Sequence, residues 1–346
     1  MKNPTKNYVA IRLSAMGDVA LCVPVVQVFC TQNENMHLYF ITRKAFQPLF
    51  HGIPNLSFIT PDLYGKHKGI FGIHRLFKEI KAEFGEVEAY FDLHDVLRSK
   101  VLGGFCGLFS RAKTFKINKG RKGKKELTRK ENKIFKPLKT STQRYSDVFS
   151  KAGFQLDLAK FKPLELPSTD KINELPLNPT KKKIGIAPFA QHKGKAYPLE
   201  KMEVVISNLL EKDWQVFIFG GGKSEAKSAQ EIVERNPEVI SLIGKFSMLE
   251  ELSLISQMDC MLTMDSSNMH LARLVGTKVY SIWGATHPFA GFTPFGQNNP
   301  ETFIQIPQEK LPCRPCSVFG NKPCHRGDYA CLNWIEPKEV SERVSI

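Results

Sequence analysis

Two runs of alternating strands and helices, separated by a proline-rich segment, constrain the fold of this 346-residue chain most strongly. The apolar segments that we predict as strands are 8–14, 37–43, 56–61, 89–94, 183–190, 214–222, 239–244, 260–265 and 278–284. Short apolar strands separated by amphipathic helices are typical of parallel sheets that are covered on both faces. The pattern therefore predicts an α/β protein with two Rossmann-like domains.

The segment 160–183 lacks hydrophobic periodicity and is rich in proline, which is typical of a linker. A chain of this length also exceeds the roughly 250 to 300 residues that one core supports. We therefore predict four parts, namely an N-terminal domain (1–165), a linker (166–182), a C-terminal domain (183–335) and a C-terminal helix (336–346). Ligands of such folds bind beyond the carboxyl ends of the strands, so the turns after strands are the candidate sites.

A run of small polar residues follows the predicted strand 260–265. Asp265, Ser266, Ser267 and Asn268 stand at the start of a helix, and His270 follows within its first turn. The unpaired N–H groups and the dipole of a helix start attract phosphate, which predicts a pyrophosphate site. The alternative is that Asp265 or Ser266 is an ordinary N-cap.

Other turns after strands in the second series carry compatible residues. Lys193 and Lys195 follow strand 183–190 and can reach a phosphate as point charges. A glycine run that includes Gly221 ends strand 214–222 and permits close backbone approach, although it does not match the dinucleotide-binding spacing.

In the first series, Ser14, Gly17 and Asp18 follow the first strand. A carboxylate at this turn is either a general base or a helix cap. A second polar cluster ends the fourth strand, and it either binds polar groups or forms surface salt bridges. Its members are Asp92, His94, Asp95 and Arg98.

The net charge of +15 implies an anionic partner. Residues 111–139 hold thirteen Lys and Arg against two Glu, so one region carries much of the excess. Few aromatic residues interleave with these lysines, which disfavours stacking on nucleic-acid bases. We find neither a run of about 18 apolar residues nor a signal-peptide core, so we expect a cytoplasmic protein.

Four of the eight cysteines lie close together near the end of the chain, in the spacing C-x2-C-x7-C-x6-C. They are Cys313, Cys316, Cys324 and Cys331. Cysteine thiolates in a reducing compartment suit a tetrahedral zinc ion better than disulfides, but these gaps are not those of a standard zinc ribbon. Structural zinc, disulfides and free thiols all remain open, and His325 is either a further ligand or a surface histidine.

Several motifs in the same order resemble glycosyltransferase family 9, the ADP-heptose:lipopolysaccharide heptosyltransferases. They are IRLSAMGDVALCVPVV, KAYP, FGGG, LTMDSSNMHLARLVGTKVYSIWGAT and the terminal CRPC…C…CLNWIEPKEV. The resemblance implies a GT-B fold with two Rossmann-like domains facing a central cleft. It also implies an inverting transfer from ADP-heptose to the lipopolysaccharide inner core, with neither metal nor cofactor.

The resemblance also implies roles for individual residues. Asp18 matches the general base, Lys195 matches the lysine that pairs with the donor diphosphate, and Asp265 matches the aspartate that contacts the donor sugar. The remaining donor-binding candidates are Ser266, Ser267, His270, Gly221 and Glu225, the last as the nearest match to a ribose-binding glutamate. The chain departs from the family pattern at Ser267, where glycine is common, and at Tyr197, where tryptophan is usual.

An acceptor of this family, lipid A with acidic Kdo-type sugars, gives the basic stretch a role. The acceptor-binding candidates are Ser14, Gly17, Lys122, Lys124 and Lys125. Lysines near an anionic leaflet favour peripheral contact with the inner face of the inner membrane. A solvated loop is the alternative for the basic stretch.

Two other functions stay open at this point. One is another GT-B nucleotide-sugar enzyme with a different donor, or an epimerase. The other, a basic nucleic-acid-binding protein, rests on charge alone. The donor sugar, the acceptor position and the oligomeric state also remain open.

Overall fold

A computed structural model describes residues 6–110 and 112–345. The chain divides into two compact units. The N-terminal unit comprises the residues up to Lys119 together with Ser141–Leu164, and the C-terminal unit comprises Gly120–Thr140 together with the residues from Glu165 onward. The basic segment 120–140, which we assigned to the N-terminal domain, thus groups with the C-terminal unit.

Every strand pair that the structure describes is parallel, as the short apolar segments predict. The strands are β1 (Lys6–Ile11), β2 (Met36–Ile41), β3 (Leu56–Ile59), β4 (Ala89–Asp92), β5 (Lys113–Lys116), β6 (Lys183–Ala187), β7 (Gln215–Ile218), β8 (Ile240–Ser241), β9 (Cys260–Met264), β10 (Lys278–Ile282) and β11 (Phe303–Ile304). The sequence patterns missed β5 and β11. Both are edge strands; β5 is mostly exposed and polar, whereas β11 is buried and apolar but only two residues long.

α-Helices connect most of the strands, whereas only short 3-10 helices lie between β2 and β3 and between β10 and β11. The α-helices are α1 (Met16–Ala20), α2 (Val23–Gln32), α3 (Gly69–Phe84), α4 (Leu97–Ser110), α5 (Arg121–Thr128), α6 (Ser141–Ser150), α7 (Asp170–Asn173), α8 (Leu199–Glu211), α9 (Lys223–Arg235), α10 (Met248–Ser256), α11 (Ser267–Leu274), α12 (Ala330–Asn333) and α13 (Pro337–Ser345). Within the described part of the chain, none of these helices has the length and apolar character needed to cross a membrane.

The two sheets share one topology. The strand order is β3-β2-β1-β4-β5 in the N-terminal unit and β11-β10-β9-β6-β7-β8 in the C-terminal unit. In each sheet the first strand along the chain has neighbours on both sides, since β1 pairs with β2 and β4 and β6 pairs with β7 and β9. The chain therefore reverses its direction across the sheet beside that strand, and such a switch point is where doubly wound folds bind ligands.

Apolar side chains fill the space between sheet and helices in each unit. In the N-terminal unit the rings of Phe29, Phe91 and Phe149 pack with centroids 4.3 to 6.1 Å apart. In the C-terminal unit, β9 is buried along its whole length. This packing fixes the strands and leaves their carboxyl ends to position polar side chains.

Segments outside the two strand series pack on the C-terminal unit. The predicted linker contains α7, and the Asn178 N–H donates to Gln215 Oε1 at 3.0 Å. Helix α13 lies against α8, where Asn208 Nδ2 donates to Ser341 Oγ at 3.2 Å. The predicted C-terminal helix 336–346 ends at a residue outside the described part, Ile346.

Candidate functional site

An ion pair lies at the carboxyl end of β1. Arg12 follows the strand and Asp18 lies in the first turn of α1, with Arg12 Nη2 2.6 Å from Asp18 Oδ2. The Ala15 N–H points to the same Oδ2 at 3.4 Å, so both contacts fall on one carboxylate oxygen. Ser14 and Gly17 are half-buried in the same turn. The structure thus brings together the three predicted residues of this turn.

Arg12 is buried beneath this turn, and the sequence patterns did not single it out. Its Nη1 donates to the carbonyl of Leu93 at 2.8 Å, and its guanidinium lies 5.7 Å from the ring centroid of Tyr145. A buried cation needs a partner, because an unpaired charge in the interior is costly. Asp18 supplies this partner, and the signal in the sequence was one arginine in an otherwise apolar strand.

The residues of the second polar cluster of the N-terminal unit, which lies at the end of β4, have different contacts. Asp92 accepts hydrogen bonds from the His94 N–H (2.9 Å), the Asp95 N–H (2.7 Å) and the Ser99 hydroxyl (2.9 Å), so it shapes the turn after β4. Asp95, whose side chain is only 11% exposed, pairs with the more exposed Lys100 at 3.1 Å. Arg98 is exposed.

His94 lies beside the ion pair of the N-terminal unit. Its Nδ1 accepts from the Leu13 N–H at 3.4 Å. Burial, together with the positive charges of Arg12, Lys119 and Arg43, lowers the pKa of His94 to about 4. The imidazole is therefore neutral at neutral pH, and it offers an acceptor to the backbone rather than a charge to a ligand.

A second ion pair lies at the switch point of the C-terminal sheet. Lys195 Nζ is 2.9 Å from Asp265 Oδ2. Lys195 belongs to the loop after β6, and Asp265 directly follows β9, the neighbour of β6. Two residues that lie 70 positions apart in the sequence and were predicted separately thus meet at one point.

Helix α11 starts beside this pair. Ser266 is at the N-cap position but makes no side-chain capping hydrogen bond, and its buried Oγ has no partner among the described residues. The first N–H groups of a helix have no acceptor within the helix. If Ser266 were only an N-cap, its hydroxyl and the first N–H groups of α11 would have no role. A bound anion would accept hydrogen bonds from them. His270 is buried within the same helix.

The backbone of Ser267 shows why serine is tolerated at this position. Ser267 opens α11, and it is not among the described residues with positive φ. An ordinary helical backbone suits any residue, so the family's glycine is not required for conformation here. Tyr197, the other departure, is buried and its hydroxyl donates to the carbonyl of Ile335 at 2.9 Å.

Close backbone packing holds the loop that carries Lys195. The Ala285 N–H donates to the Gly194 carbonyl at 2.8 Å. A Cβ on Gly284 would lie 2.5 Å from that carbonyl oxygen, and a Cβ on Gly320 would lie 2.6 Å from Lys195 Cγ. A larger residue at Gly284 would therefore displace the backbone of the lysine loop, and one at Gly320 would displace the Lys195 side chain.

Arg314 fixes the other side of this packing, and the sequence patterns did not single it out. Its side chain is buried and donates to the carbonyls of Trp283 (3.0 Å), Gly284 (2.7 Å) and Thr286 (3.0 Å). Burial lowers its pKa to about 10, so it stays charged at neutral pH. Arg314 lies between Cys313 and Cys316, two of the candidate zinc ligands, and the cysteine spacing gives no sign of its role.

Gly221 and Glu225 form a third turn, after β7. The Gly221 N–H donates to Glu225 Oε2 at 2.8 Å. A Cβ on Gly220 would lie 2.7 Å from the same oxygen, so only glycine lets the carboxylate fold back over the turn. The structure therefore brings these two predicted donor-site residues into contact.

The three predicted acceptor lysines lie on α5. Lys122 and Lys125 are exposed, and Lys124 Nζ lies 4.1 Å from the ring centroid of Phe292. The segment after α5 is tied to the same unit, since the Leu138 N–H donates to the Phe289 carbonyl at 2.9 Å. These lysines thus belong to the C-terminal unit rather than to the N-terminal domain we predicted.

The four terminal cysteines are free thiols in the structure. Cys313, Cys316 and Cys324 are half-buried, and burial raises the pKa of buried Cys331 to about 12. Across 6–110 and 112–345, no group of three or more His, Cys, Asp or Glu side chains is arranged to hold a metal ion.

Two doubly wound parallel sheets, one with an uncapped helix start at its switch point and the other with a carboxylate there, have the architecture of the GT-B class. The family model described as glycosyltransferase family 9 (heptosyltransferase) matches residues 73–318. The chain belongs to this family.

Curated relatives match over most of the chain. Lipooligosaccharide heptosyltransferase 2 of Campylobacter jejuni subsp. jejuni serotype O:6 is 23% identical over 95% of both chains. Lipopolysaccharide core heptosyltransferase OpsX of Haemophilus influenzae is 25% identical over 88% of this chain and 85% of the relative.

Solved structures share the fold. The family 9 glycosyltransferase from Veillonella parvula has a TM-score of 0.76 at 19% identity, covering 100% of this chain and 98% of that one. The E. coli heptosyltransferase WaaC, solved with ADP-2-deoxy-2-fluoro heptose, has a TM-score of 0.65 at 15% identity, covering 98% and 99%. These likenesses support the GT-B class.

Proposed function

We propose that this protein transfers a heptose from ADP-heptose to the lipopolysaccharide inner core, with inversion at the anomeric carbon and without a metal. The observation that carries the proposal is the Lys195–Asp265 pair beside the start of α11. An ammonium and free helix N–H groups together suit a diphosphate, and a carboxylate beside them suits the hydroxyls of a sugar. The names of the relatives supply the sugar and the acceptor.

On the donor side, Lys195 and the N–H groups at Ser266 and Ser267 hold the diphosphate in this proposal. Asp265 contacts the heptose, and the unpartnered Ser266 Oγ donates to a phosphate oxygen. The start of α11 is half-buried at Ser266, Ser267 and Asn268, so water screens its dipole only in part. His270 lies one turn further along and shapes the floor of the site.

The nucleoside lies over the glycine turn in this proposal. One oxygen of Glu225 is fixed by the Gly221 N–H, which holds the carboxylate in one orientation. Its other oxygen accepts from the ribose hydroxyls. Gly221 itself has open space around its Cα, so a ligand can approach the backbone there.

On the acceptor side, Asp18 is the general base. Arg12 and the Ala15 N–H hold its Oδ2, so Oδ1 accepts the proton of the acceptor hydroxyl. The deprotonated oxygen bonds to the anomeric carbon while the bond from that carbon to the diphosphate oxygen breaks. ADP leaves with the electron pair of that bond, and the charge that develops on it is stabilised by Lys195 and the helix start.

The acceptor is lipid A with acidic Kdo-type sugars, reached by peripheral contact with the cytoplasmic face of the inner membrane. Ser14 and Gly17 border the base, and the lysines of α5 supply positive charge for acidic sugars and phosphates. Nucleic acid is not proposed as a partner.

Turnover of ADP-heptose with a Kdo-containing lipid A acceptor tests the proposal. We expect ADP release and a product heavier by one heptose, together with a rise in melting temperature on adding ADP-heptose, because a ligand that binds only the folded state stabilises it. Conversion of the donor to an isomer without acceptor would instead show an epimerase. Stabilisation by a different nucleotide sugar and not by ADP-heptose would show a different donor.

A further inference from the structure

Four exposed large apolar side chains of the N-terminal unit lie in the loop before α3 and at the starts of α3 and α4. The exposed fractions are 77% for Tyr64, 59% for Ile70, 87% for Phe71 and 79% for Leu97. We call these four residues the apolar edge. Three of them lie within eight positions of the chain, whereas exposed apolar residues are ordinarily scattered singly.

The loop before α3 is held in place by polar contacts beneath it. Asp62 accepts from the N–H groups of Gly65 (2.8 Å) and Lys66 (3.1 Å), and buried His67 contacts Glu79 Oε2 through Nε2 at 3.0 Å. A Cβ on Gly72 would lie 2.3 Å from the His67 backbone, so α3 packs directly on the loop. The fold therefore presents the apolar edge outward in a fixed conformation.

Positive charge surrounds these side chains. Residues 63–78 contain four Lys and Arg and no Asp or Glu. Lys66 pairs with Glu79 at 3.2 Å, whereas Lys68, Arg75 and Lys78 are exposed. Exposed aromatic and aliphatic side chains interspersed with cations are complementary to the interface of an anionic bilayer.

The apolar edge lies on the same side of the sheet as Asp18. Tyr64, Ile70 and Phe71 follow β3, Leu97 follows β4, and Asp18 follows β1, and these three strands are parallel members of one sheet. Segments that follow parallel strands emerge at one edge. A lipid-linked acceptor held at that edge would present its sugar toward the candidate base.

We propose that the apolar edge docks the N-terminal unit onto an anionic phospholipid bilayer, with Phe71 and Ile70 entering the interfacial region. The inference rests on the proposed function, which places the acceptor in a membrane. A second copy of the chain fits the surface less well. A two-fold interface sets each patch against itself, which would bring the exposed cations Lys68, Arg75 and Lys78 of two copies together. The flanking carboxylates of Asp62 and Glu79 already bind groups of their own chain.

Co-sedimentation of the full chain with vesicles of mixed phosphatidylcholine and phosphatidylglycerol tests the proposal. We expect the triple variant Tyr64→Ser, Ile70→Ser, Phe71→Ser to bind at least about tenfold more weakly, because its apolar area no longer enters the interface. Lys68→Ala with Lys78→Ala should weaken binding to these vesicles but not to vesicles of phosphatidylcholine alone.

Helix α4 offers a matched control pair. Leu97 and Leu108 are 79% and 74% exposed, but Leu97 begins the helix and Leu108 lies near its other end, toward the opposite edge of the sheet. We expect Leu97→Ser to weaken vesicle binding and Leu108→Ser to leave it unchanged. Equal effects of the two substitutions would overturn the proposal, as would unchanged binding of the triple variant.

Two further measurements separate the alternatives. If sedimentation velocity shows that the wild-type chain dimerises and the triple variant does not, while vesicle binding is equal, the surface is a self-interface and the proposal is wrong. The triple variant should turn over a water-soluble, deacylated acceptor as wild type does, but the membrane-embedded acceptor more slowly. Vesicle binding that depends on the apolar edge in a chain that turns over no heptose would support docking and refute the proposed function alone.

Discussion

The two switch points pair the same kinds of residue with opposite exposure. In the N-terminal unit the cation is buried and the carboxylate is accessible, with side-chain exposures of 8% for Arg12 and 29% for Asp18. In the C-terminal unit Lys195 is 18% exposed and Asp265 only 6%. One switch point thus presents a carboxylate and the other an ammonium. The fold supplies the position, and the exposed partner determines which chemistry each position offers.

Arg12, the buried partner of the first pair, has a positioning role, whereas Asp265, the buried partner of the second, also contacts the heptose in the proposed function. Arg12 is held by the Leu93 carbonyl and by Tyr145, so it orients the carboxylate of Asp18. Lys195 lies in a loop that packs against Gly284 and Gly320, and Asp265 meets it from the adjacent strand. Predictions that change the exposed or the buried member of a pair therefore test the comparison directly.

The largest effect is expected for Asp18→Asn. The amide keeps the shape of the side chain but cannot accept the acceptor proton, so turnover should fall by about 10² to 10⁴-fold. Donor affinity should stay within about twofold, because Asp18 belongs to the other unit from the diphosphate site. Steady-state kinetics with titration of ADP-heptose measures both. Near-normal turnover in a variant with an unchanged melting temperature would remove the base role from Asp18.

Lys195→Ala should weaken ADP binding by about 100-fold, since it removes a charge-assisted contact and leaves the buried carboxylate of Asp265 unpaired near the phosphates. Isothermal titration calorimetry with ADP measures this loss. Adenosine, which lacks phosphates, is the control ligand and should bind the variant and the wild type alike. Equal weakening for adenosine and ADP would show that the substitution disturbs the fold of the site rather than the diphosphate contact.

His94 connects the N-terminal switch point to pH. Its folded pKa of about 4 lies below the ordinary value of 6.5, so between these pH values the unfolded chain binds more protons. The contribution of His94 to the free energy of unfolding is therefore present above about pH 6.5 and is lost as pH falls toward 4. The loss is at most about 3 kcal/mol. His94→Asn retains an acceptor for the Leu13 N–H but does not titrate. The free energy of unfolding of this variant should therefore depend less on pH between about 6.5 and 4.

Denaturant unfolding of the full chain at several pH values, monitored by far-UV circular dichroism, checks the His94 prediction. His51→Asn is the matched control, since His51 is an exposed histidine of the same unit. An equally steep loss of stability between pH 6.5 and 4 in wild type and His94→Asn would contradict the prediction.

Sequence patterns located three of the four paired residues, because polar residues after apolar strands stand out from their neighbours. Asp18, Lys195 and Asp265 were all found in this way. Arg12, Tyr145 and Arg314 were not, because their roles arise from contacts between segments far apart in the chain. Tyr145, for example, reaches Arg12 from α6. Local periodicity carries no record of such contacts.

The two series of strands also predicted the α/β class, but they did not predict the edge strands β5 and β11. Strand β5 has the sequence KTFK, which reads as part of a basic loop until β4 pairs with it. The grouping of 120–140 with the C-terminal unit depends on distant contacts such as that of Leu138 with Phe289. The charge of this segment identified it as a basic region but did not indicate to which of the two units it belongs.

The smallest effect is expected for Ser267→Gly, which restores the residue that the family pattern favours. Since Ser267 has no positive φ, glycine gains no conformation that serine lacks, and it adds freedom to the unfolded chain. We expect a loss of up to about 1 kcal/mol in unfolding free energy and less than about threefold change in ADP affinity. Ser266→Ala, which removes the unpartnered buried hydroxyl next to it, should weaken ADP binding more. Tighter ADP binding by Ser267→Gly would mean that the diphosphate needs closer approach to the backbone than the start of α11 now allows. The affinity for ADP would then depend more on access to this backbone than on the ammonium of Lys195.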